Sequence, residues 1–257
     1  MARSKYRTIN LPAPYLKRVW LELDRVKDPE AYPFRLPFLR DGFDIYFDSA
    51  ITIIVGENGT GKSTLLEGIA QYAGYDAAGG GKGYRPVDHS RAFETMGGEL
   101  AEALRASWLP KITRGWFFRA ESFFSVARYL DEAARGAGEP PPDFLSQSHG
   151  EGFLEFFNER CQDQGIFIFD EPESALSPSR QVEFLRLLDA MERSTICQVI
   201  MATHSPMLMA HPKARLLQLT KHGLSPIRVQ DTAHYKMMRE FWADPDAFVK
   251  EALAGGI

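Results

Sequence analysis

An apolar run that leads into a glycine-rich loop, at residues 51–64, constrains the fold more than any other feature of the sequence. Five apolar or β-branched residues come first, and the pattern G-x-x-x-x-G-K-[ST] follows them. The fixed positions of this pattern are Gly56, Gly61, Lys62 and Ser63. Glycines allow consecutive backbone N–H groups to curl around an anion, the lysine reaches phosphate oxygens, and the hydroxyl ligates Mg²⁺. The sequence therefore predicts a strand, a phosphate-binding loop (P-loop) and a helix.

The residues after the loop favour this interpretation over an ordinary glycine-rich turn. Leu65, Leu66, Ile69 and Ala70 follow at helical spacing, so the loop has the strand and the helix that phosphate binding requires. A helix that begins at Lys62 also directs the positive end of its dipole at the anion. The candidate nucleotide-binding residues of the loop are Gly56, Glu57, Asn58, Gly59, Thr60, Gly61, Lys62, Ser63 and Thr64.

Composition limits the size of the domain but does not select a partner. The chain has 257 residues, 44% of them hydrophobic, a size and composition that suit one α/β domain. Its formal charge of −4 gives no overall basic surface for nucleic acid, although a local basic patch is compatible with this charge. No apolar run approaches the roughly 20 residues that cross a bilayer, and no signal core follows Met1–Lys5. We expect a cytoplasmic protein without membrane insertion, in which Cys161 and Cys197 are buried free thiols.

The first part of the chain is predicted to form an N-terminal β-layer. Residues 15–23, 43–47 and 51–55 each have the pattern of a strand. The glycine-rich stretch from Tyr75 to Ser90 has no strand before it and no apolar helix directly after it, which favours a flexible linker over a second anion-binding loop.

The spacing of apolar residues then indicates helix from Gly97 to Glu139, with Ala101, Leu104 and Trp108 on one face. The prolines at 140–142 end any helix there. The sequence thus predicts a single domain whose core comprises residues 1–96 and 146–257. Residues 97–145 are predicted to be an inserted helical subdomain.

The second half of the chain alternates helices with strongly apolar strands. A helix runs from Phe153 to about Gln162, and strands are expected at 165–169 and 196–202. Strands that are apolar throughout are typical of a parallel sheet covered on both faces, where functional residues gather at the carboxyl ends of the strands. This pattern predicts an α/β fold.

Three polar residues follow the ends of these two strands. Asp170 stands where a P-loop enzyme needs a carboxylate for the Mg²⁺ that Ser63 also binds, and Glu171 is placed to polarise a water molecule. His204 is placed to sense the γ-phosphate or to steady the attacking water. A pair of acids can also be a solvated strand end, and a single histidine often has no function. The P-loop upstream favours the functional interpretation.

These motifs resemble those of the ATP-binding-cassette (ABC) ATPases, and among them the soluble branch that includes the RecF and SMC proteins. The family signature resembles Gln147–Glu151, the D-loop resembles Ser174–Ser177, and His204 matches the switch histidine. More narrowly, the chain is similar over nearly its whole length to small, stand-alone bacterial ATPases of AAA or ABC type. The residues that carry this closer likeness are the stretches 118–124, 147–151 and 170–173.

The resemblance implies Mg²⁺-dependent hydrolysis of ATP by a head-to-tail homodimer, with an unknown protein or DNA partner. Ser148 and Gly150 of one subunit would close on the γ-phosphate held by Lys62 of the other. Glu121 is the stand-in for the family's Q-loop glutamine and a further candidate metal ligand. Ser177 replaces the usual D-loop aspartate, and it is better interpreted as the cap of the helix that follows. His149 and Glu151 also depart from the usual signature, in which a glycine and a glutamine stand at these positions.

Two other functions stay open from the sequence. One is the nucleotide-binding subunit of an ABC transporter, although the stretch 119–122 does not match the Q-loop region of such subunits. The other is a nucleotide-gated binding module for DNA or a nuclease. After His204 the sequence predicts a hairpin around Lys221–Gly223 and two terminal helices, which leaves no room for a nuclease domain there. Phe34, Arg35 and Phe38 could stack on a base or simply pack, and none is assigned to adenine.

Overall fold

Two β-sheets organise the computed structural model, which describes residues 11–40, 42–77, 79–82, 97–120, 134–136 and 149–255. The strands, in chain order, are β1 (Leu16–Leu21), β2 (Asp44–Tyr46), β3 (Ile51–Val55), β4 (Gly80–Gly81), β5 (Leu104–Trp108), β6 (Gly115–Arg119), β7 (Gly165–Asp170), β8 (Cys197–Ala202), β9 (Arg215–Thr220) and β10 (Gly223–Pro226). The main helices are α1 (Pro37–Arg40), α2 (Lys62–Ala73), α3 (Gly97–Ala103), α4 (His149–Arg160), α5 (Pro178–Ser194), α6 (Pro206–Met209), α7 (Ala233–Ala243) and α8 (Pro245–Leu253).

The larger sheet has the strand order β10-β9-β3-β8-β7-β6-β4. Its five inner strands run parallel, whereas the edge strands β10 and β4 are antiparallel to their neighbours. Asp170 lies opposite Ala202, and Ile54 also lies opposite Ala202. This register brings the carboxyl ends of β3, β7 and β8 to one edge of the sheet. The predicted α/β fold with a parallel sheet is confirmed.

The inner strands are buried on both faces, which explains why they are apolar throughout. In β7, Ile166 and Ile168 pack into a core formed with α2 and the smaller sheet. Phe167 and Phe169 pack into a second core formed with α4 and α5. The alternation follows from the two-residue period of a strand.

The smaller sheet is antiparallel and has the order β2-β1-β5. It is the N-terminal β-layer expected from the sequence, but its third strand is β5 rather than β3, which belongs to the larger sheet. Gln198 of β8 connects the two sheets, because its side chain bonds to the backbone of Tyr15 and Leu16.

Residues 97–119 hold one short helix and two strands, so the helix predicted over this stretch is wrong beyond α3. β5 pairs with β1, and β6 pairs with β7. Within β6, Phe117 packs into the first core, whereas Trp116 and Phe118 pack against the second. A short apolar run satisfies helix and strand patterns alike, and here the pairing with distant strands decides between them.

The glycine stretch within residues 75–90 is also more ordered than a linker. Gly80 and Gly81 pair with Phe117 and Trp116 as the edge strand β4. A Cβ atom on Gly81 would lie 3.1 Å from the carbonyl oxygen of Gly115, so glycine allows this close approach. Residues 83–90 lie outside the described residues, as do two parts of the predicted helical insert, 121–133 and 137–145.

The end of the chain follows the prediction. β9 and β10 form a hairpin whose turn lies at residues 221–222, and α7 and α8 come after it. Cys161 and Cys197 are buried free thiols, as expected. Among the described residues, every helix is too short or too polar to span a bilayer.

Candidate active site

The P-loop lies between the end of β3 and the start of α2, as predicted. Gly59 and Gly61 have φ angles of 76° and 95°, in the left-handed region that favours glycine. Gly56 is needed for another reason, because a Cβ atom there would lie 2.7 Å from the carbonyl oxygen of Leu219 in β9. The loop conformation therefore depends on the two glycines that the sequence pattern fixes, Gly56 and Gly61, and also on Gly59.

Lys62 bonds to the loop that precedes it. Its side chain is 4% exposed, and Nζ donates to the carbonyl oxygens of Gly56 at 3.0 Å and Glu57 at 3.2 Å. Burial lowers the pKa of Lys62, and the acids around it, Glu171 first, oppose that shift. An ammonium group has three donors, so one further bond, to a phosphate oxygen, can form.

Ser63 and Asp170 meet at the carboxyl edge of the sheet. The Ser63 hydroxyl donates to Oδ1 of Asp170 at 3.0 Å, and Asp170 is 7% exposed. These are hard oxygen donors of the kind that Mg²⁺ prefers when phosphate and water supply its other ligands. In the part of the chain that the structure describes, no three His, Cys, Asp or Glu side chains form a metal cluster. Two oxygen donors suit an ion that a nucleotide helps to hold.

A buried ion pair lies behind Asp170, and the sequence interpretation missed it as part of the site. Arg119, at the end of β6, lies beside Asp170 in the sheet, with its Nε 3.6 Å from Oδ2. Arg119 also bonds to the carboxylate of Glu67 on α2 at 3.3 Å, and burial raises the pKa of Glu67. A charged residue that ends an aromatic strand was the available signal for Arg119.

Glu171 and His204 face each other at the ends of β7 and β8. Glu171 has a φ of 49°, and its N–H donates to the carbonyl oxygen of Ala202 at 3.0 Å. A left-handed conformation at a residue other than glycine is uncommon and is often found at functional sites. His204 Nε2 lies 3.3 Å from Oε1 of Glu171, whose side chain is 40% exposed. Burial and then the charge of Lys62 lower the pKa of His204, which favours the neutral imidazole at pH 7.

Glu173, a second residue missed from the sequence, fixes the backbone of His204. Its Oε1 accepts a hydrogen bond from the His204 N–H at 2.5 Å, and burial raises the pKa of its carboxyl group. The signal was the third acid in the stretch 170–173. Glu173 therefore ties the end of β7 to the loop that carries His204.

A cavity of about 270 Å³ lies above the P-loop and Glu171. Tyr32 and Leu36 line its other side, and the Tyr32 hydroxyl bonds to the Thr64 hydroxyl. Phe34 and Phe38, which could have stacked on a base, are buried in the core instead. Tyr32 and Leu36, rather than these two rings, therefore line the cavity.

The structure brings together most, but not all, of the residues singled out from the sequence. Lys62, Ser63, Asp170, Glu171 and His204 converge. Gly150 lies in the first turn of α4, whereas Ser148 and Glu121 lie outside the described residues. Ser177 stands at the cap position of α5, whose first turn contains a proline, as expected, but its side chain makes no capping hydrogen bond.

The P-loop, the strand-end carboxylates and the parallel sheet define a P-loop ATPase. Two family models match separate parts of the chain. The model "AAA domain" matches residues 34–99, which contain the P-loop. The model "AAA domain, putative AbiEii toxin, Type IV TA system" matches residues 140–210, which contain Asp170, Glu171 and His204. Both models describe AAA domains, and each matches less than a third of the chain.

Several solved structures are similar to the chain at low sequence identity. One is the structure described as "An inward-facing conformation of a putative metal-chelate type ABC transporter", with a TM-score of 0.48 and 18% sequence identity. The match covers 86% of this chain and 88% of that chain. The SMC head domain from Thermotoga maritima has a TM-score of 0.44 and 14% identity, covering 84% and 99% of the two chains. CbiO1 from Clostridium perfringens, part of the ABC transporter complex cbiONQ, has a TM-score of 0.43 and 15% identity, covering 93% and 99%. The comparison with curated proteins found no match.

Proposed function

We propose that the protein is a Mg²⁺-dependent ATPase that hydrolyses the β–γ bond of ATP within an ATP-sandwich homodimer and drives a conformational cycle on a protein or DNA partner. One observation carries the chemical part of the proposal. The Ser63 hydroxyl bonds to Asp170 at 3.0 Å, directly beside the Glu171 and His204 pair. A metal-holding pair and a water-orienting pair are thus adjacent at the end of the P-loop strand.

Each residue has a role that its surroundings support. Lys62 and the loop amides would bind the phosphates, since the Lys62 ammonium group is already held in the loop by the Gly56 and Glu57 carbonyl oxygens. Ser63 and Asp170 would hold Mg²⁺, which neutralises charge on the phosphate oxygens when bound. Glu171 would orient the attacking water, because its carboxylate is partly exposed at the cavity wall. His204 would contact the γ-phosphate from the neighbouring strand end.

The buried surroundings of the site favour electrostatic catalysis. Lys62 and Asp170 are almost completely buried, and charges interact more strongly where water is excluded. Glu171, in contrast, faces the open side of the cavity. Closure of a second subunit over this side would exclude water from the site. Such closure is the role that the family resemblance gives to Ser148 and Gly150 of the partner.

The homodimer is tested by the solution mass of the Glu171→Gln variant, measured by light scattering after gel filtration with Mg²⁺ and ATP or with ADP. This variant should bind ATP and hydrolyse it slowly, so we expect a dimer with ATP and a monomer with ADP. The double variant Lys62→Ala, Glu171→Gln is the matched control, and it should stay monomeric with ATP because phosphate binding is lost. A monomer of Glu171→Gln in both nucleotides would contradict the homodimer.

A further inference from the structure

His204 has a second histidine partner, which belongs to the C-terminal part of the chain. Its Nδ1 lies 2.7 Å from Nε2 of His234, and the two ring centroids are 4.8 Å apart. This distance is that of a hydrogen bond between the rings. Nothing in the sequence pattern connects His234, 30 residues further along, with the P-loop.

The helix that carries His234 is held firmly at this end. Thr232, which precedes α7, is 1% exposed. Its hydroxyl accepts from the Tyr235 N–H at 3.2 Å and donates to the carbonyl oxygen of Val229 at 2.7 Å. Val229 in turn packs against the second core. His234 is therefore presented to His204 from a capped helix start rather than from a loose terminus.

The chemistry of the contacts decides which ring nitrogen of His204 carries the proton. A carboxylate only accepts hydrogen bonds, so the side of His204 that faces Glu171 favours Nε2–H. A neutral imidazole has one N–H and one acceptor nitrogen, so Nδ1 must then accept. His234 must donate to it from Nε2. With this assignment, the two rings have complementary donors and acceptors. The His204 Nε2–H lies on the side of Glu171, 3.3 Å from Oε1, and makes no hydrogen bond to the described residues, so it is available to the phosphate site.

We propose that His234 is a positioning residue that holds His204 in the Nε2–H tautomer and directs this N–H at Glu171 and the phosphate site. The inference rests on the proposed function of His204 and adds a residue to it. Without a donor at position 234, His204 could place its proton on Nδ1 or rotate. Its nitrogen toward Glu171 would then be an acceptor facing an acceptor. The partner of a functional histidine commonly sets its tautomer in this way.

The direct test is the tautomer of His204 in the full chain with ¹⁵N-labelled histidine, read from long-range ¹H–¹⁵N spectra. The signals are assigned by their loss in His204→Gln. We expect Nδ1 of His204 to have the shift of an acceptor nitrogen in the wild-type chain. In His234→Phe, which keeps a ring but has no donor, we expect a mixture of tautomers. The proposal would be overturned if His204 had the Nδ1–H tautomer in the wild-type chain. It would also be overturned if the His204 signals were the same in His234→Phe as in the wild type.

The kinetic test separates this role from a structural one. We expect His234→Phe to lower kcat for ATP about tenfold and to leave KM unchanged. A tenfold loss is at the low end of the range for removing a partner that orients a functional side chain. His234→Gln, whose amide can donate, should recover most of the activity. Lys236→Ala, an exposed change on the same helix, should have no effect. An unchanged kcat in His234→Phe would refute the positioning role.

The two tests also separate this inference from the proposed function. The tautomer is measured without any turnover, so its outcome judges His234 even if the chain does not hydrolyse ATP. Loss of turnover in Glu171→Gln judges the ATPase site regardless of His234.

Discussion

Gln198 is the side chain on which the connection between the two sheets most depends. It lies on β8 and is completely buried. Its Oε1 accepts from the Tyr15 and Leu16 N–H groups, both at 2.8 Å, and its Nε2 donates to the Leu16 carbonyl oxygen at 2.9 Å. We expect Gln198→Leu, which has a similar size, to leave these three backbone groups without their partner.

The cost follows from counting these groups. A buried donor or acceptor left unsatisfied costs about 1–3 kcal/mol. Local relaxation recovers part of this cost, so we take the low end of the range for each group. The three groups together then lower the free energy of unfolding by about 3 kcal/mol. Since a domain is stable by only about 5–15 kcal/mol, the variant should be strongly destabilised while its P-loop residues remain unchanged.

Urea unfolding followed by fluorescence measures this loss against the wild-type chain. Gln218→Leu, on strand β9 of the same sheet, is the matched control and should change the unfolding free energy by less than about 0.5 kcal/mol. Amide hydrogen exchange should accelerate at Tyr15 and Leu16 in Gln198→Leu. A loss below about 1 kcal/mol, with unchanged exchange at these two amides, would refute the reasoning.

Three further predictions test other parts of the structure. Gly56→Ala places a Cβ atom 2.7 Å from a backbone oxygen of β9, which should distort the P-loop. The variant should bind a fluorescent ATP analogue at least tenfold more weakly, a loss of about 1.4 kcal/mol in binding free energy. An unchanged affinity would contradict the requirement for glycine at this position. Burial raises the pKa of Cys161 well above its usual value and that of Cys197 to about 11. Neither thiol should therefore react with iodoacetamide at pH 8 until urea unfolds the chain. Rapid labelling of the native protein would show that the thiols are accessible and would contradict this prediction. Burial lowers the pKa of His211 below its ordinary value of 6.5, so as the pH falls His211 is protonated in the unfolded chain before it is protonated in the folded one. The contribution of His211 to stability should therefore be complete above pH 6.5 and should decrease as the pH falls from 6.5 to the pKa of the folded state. The variant His211→Gln should flatten this part of the profile of stability against pH, and a profile identical to that of the wild type would refute the assignment.

The parts of the fold that were predicted from the sequence are those encoded by neighbouring residues. The P-loop strand and helix, the strands β7 and β8 and the terminal hairpin all have strong local patterns, and the structure contains them. Because β3, β7 and β8 are parallel, their ends had to meet at one edge. The convergence of Lys62, Asp170 and His204 therefore followed from the strand pattern alone.

The parts that were wrong or missed depend on distant partners. β5 and β6 were interpreted as helix because their apolar spacing fits both patterns, and only pairing with β1 and β7 selects strands. Arg119 and His234 contact the site through neighbours in the sheet and through the packing of α7. No local pattern indicates the His234 contact, and the charge at the end of an aromatic strand does not name the partners of Arg119. Tyr32 likewise replaces Phe34 and Phe38 at the cavity because those two rings are in the core.

The steady-state ATPase rate of Glu171→Gln tests the central claim most directly. The account predicts a loss of at least about a hundredfold in kcat, or about 2.7 kcal/mol, because the water-orienting carboxylate is gone. Glu251→Gln, an exposed acid on α8, is the matched control and should retain the wild-type rate. A loss smaller than about a hundredfold would contradict the assignment of Glu171 and the site built around it.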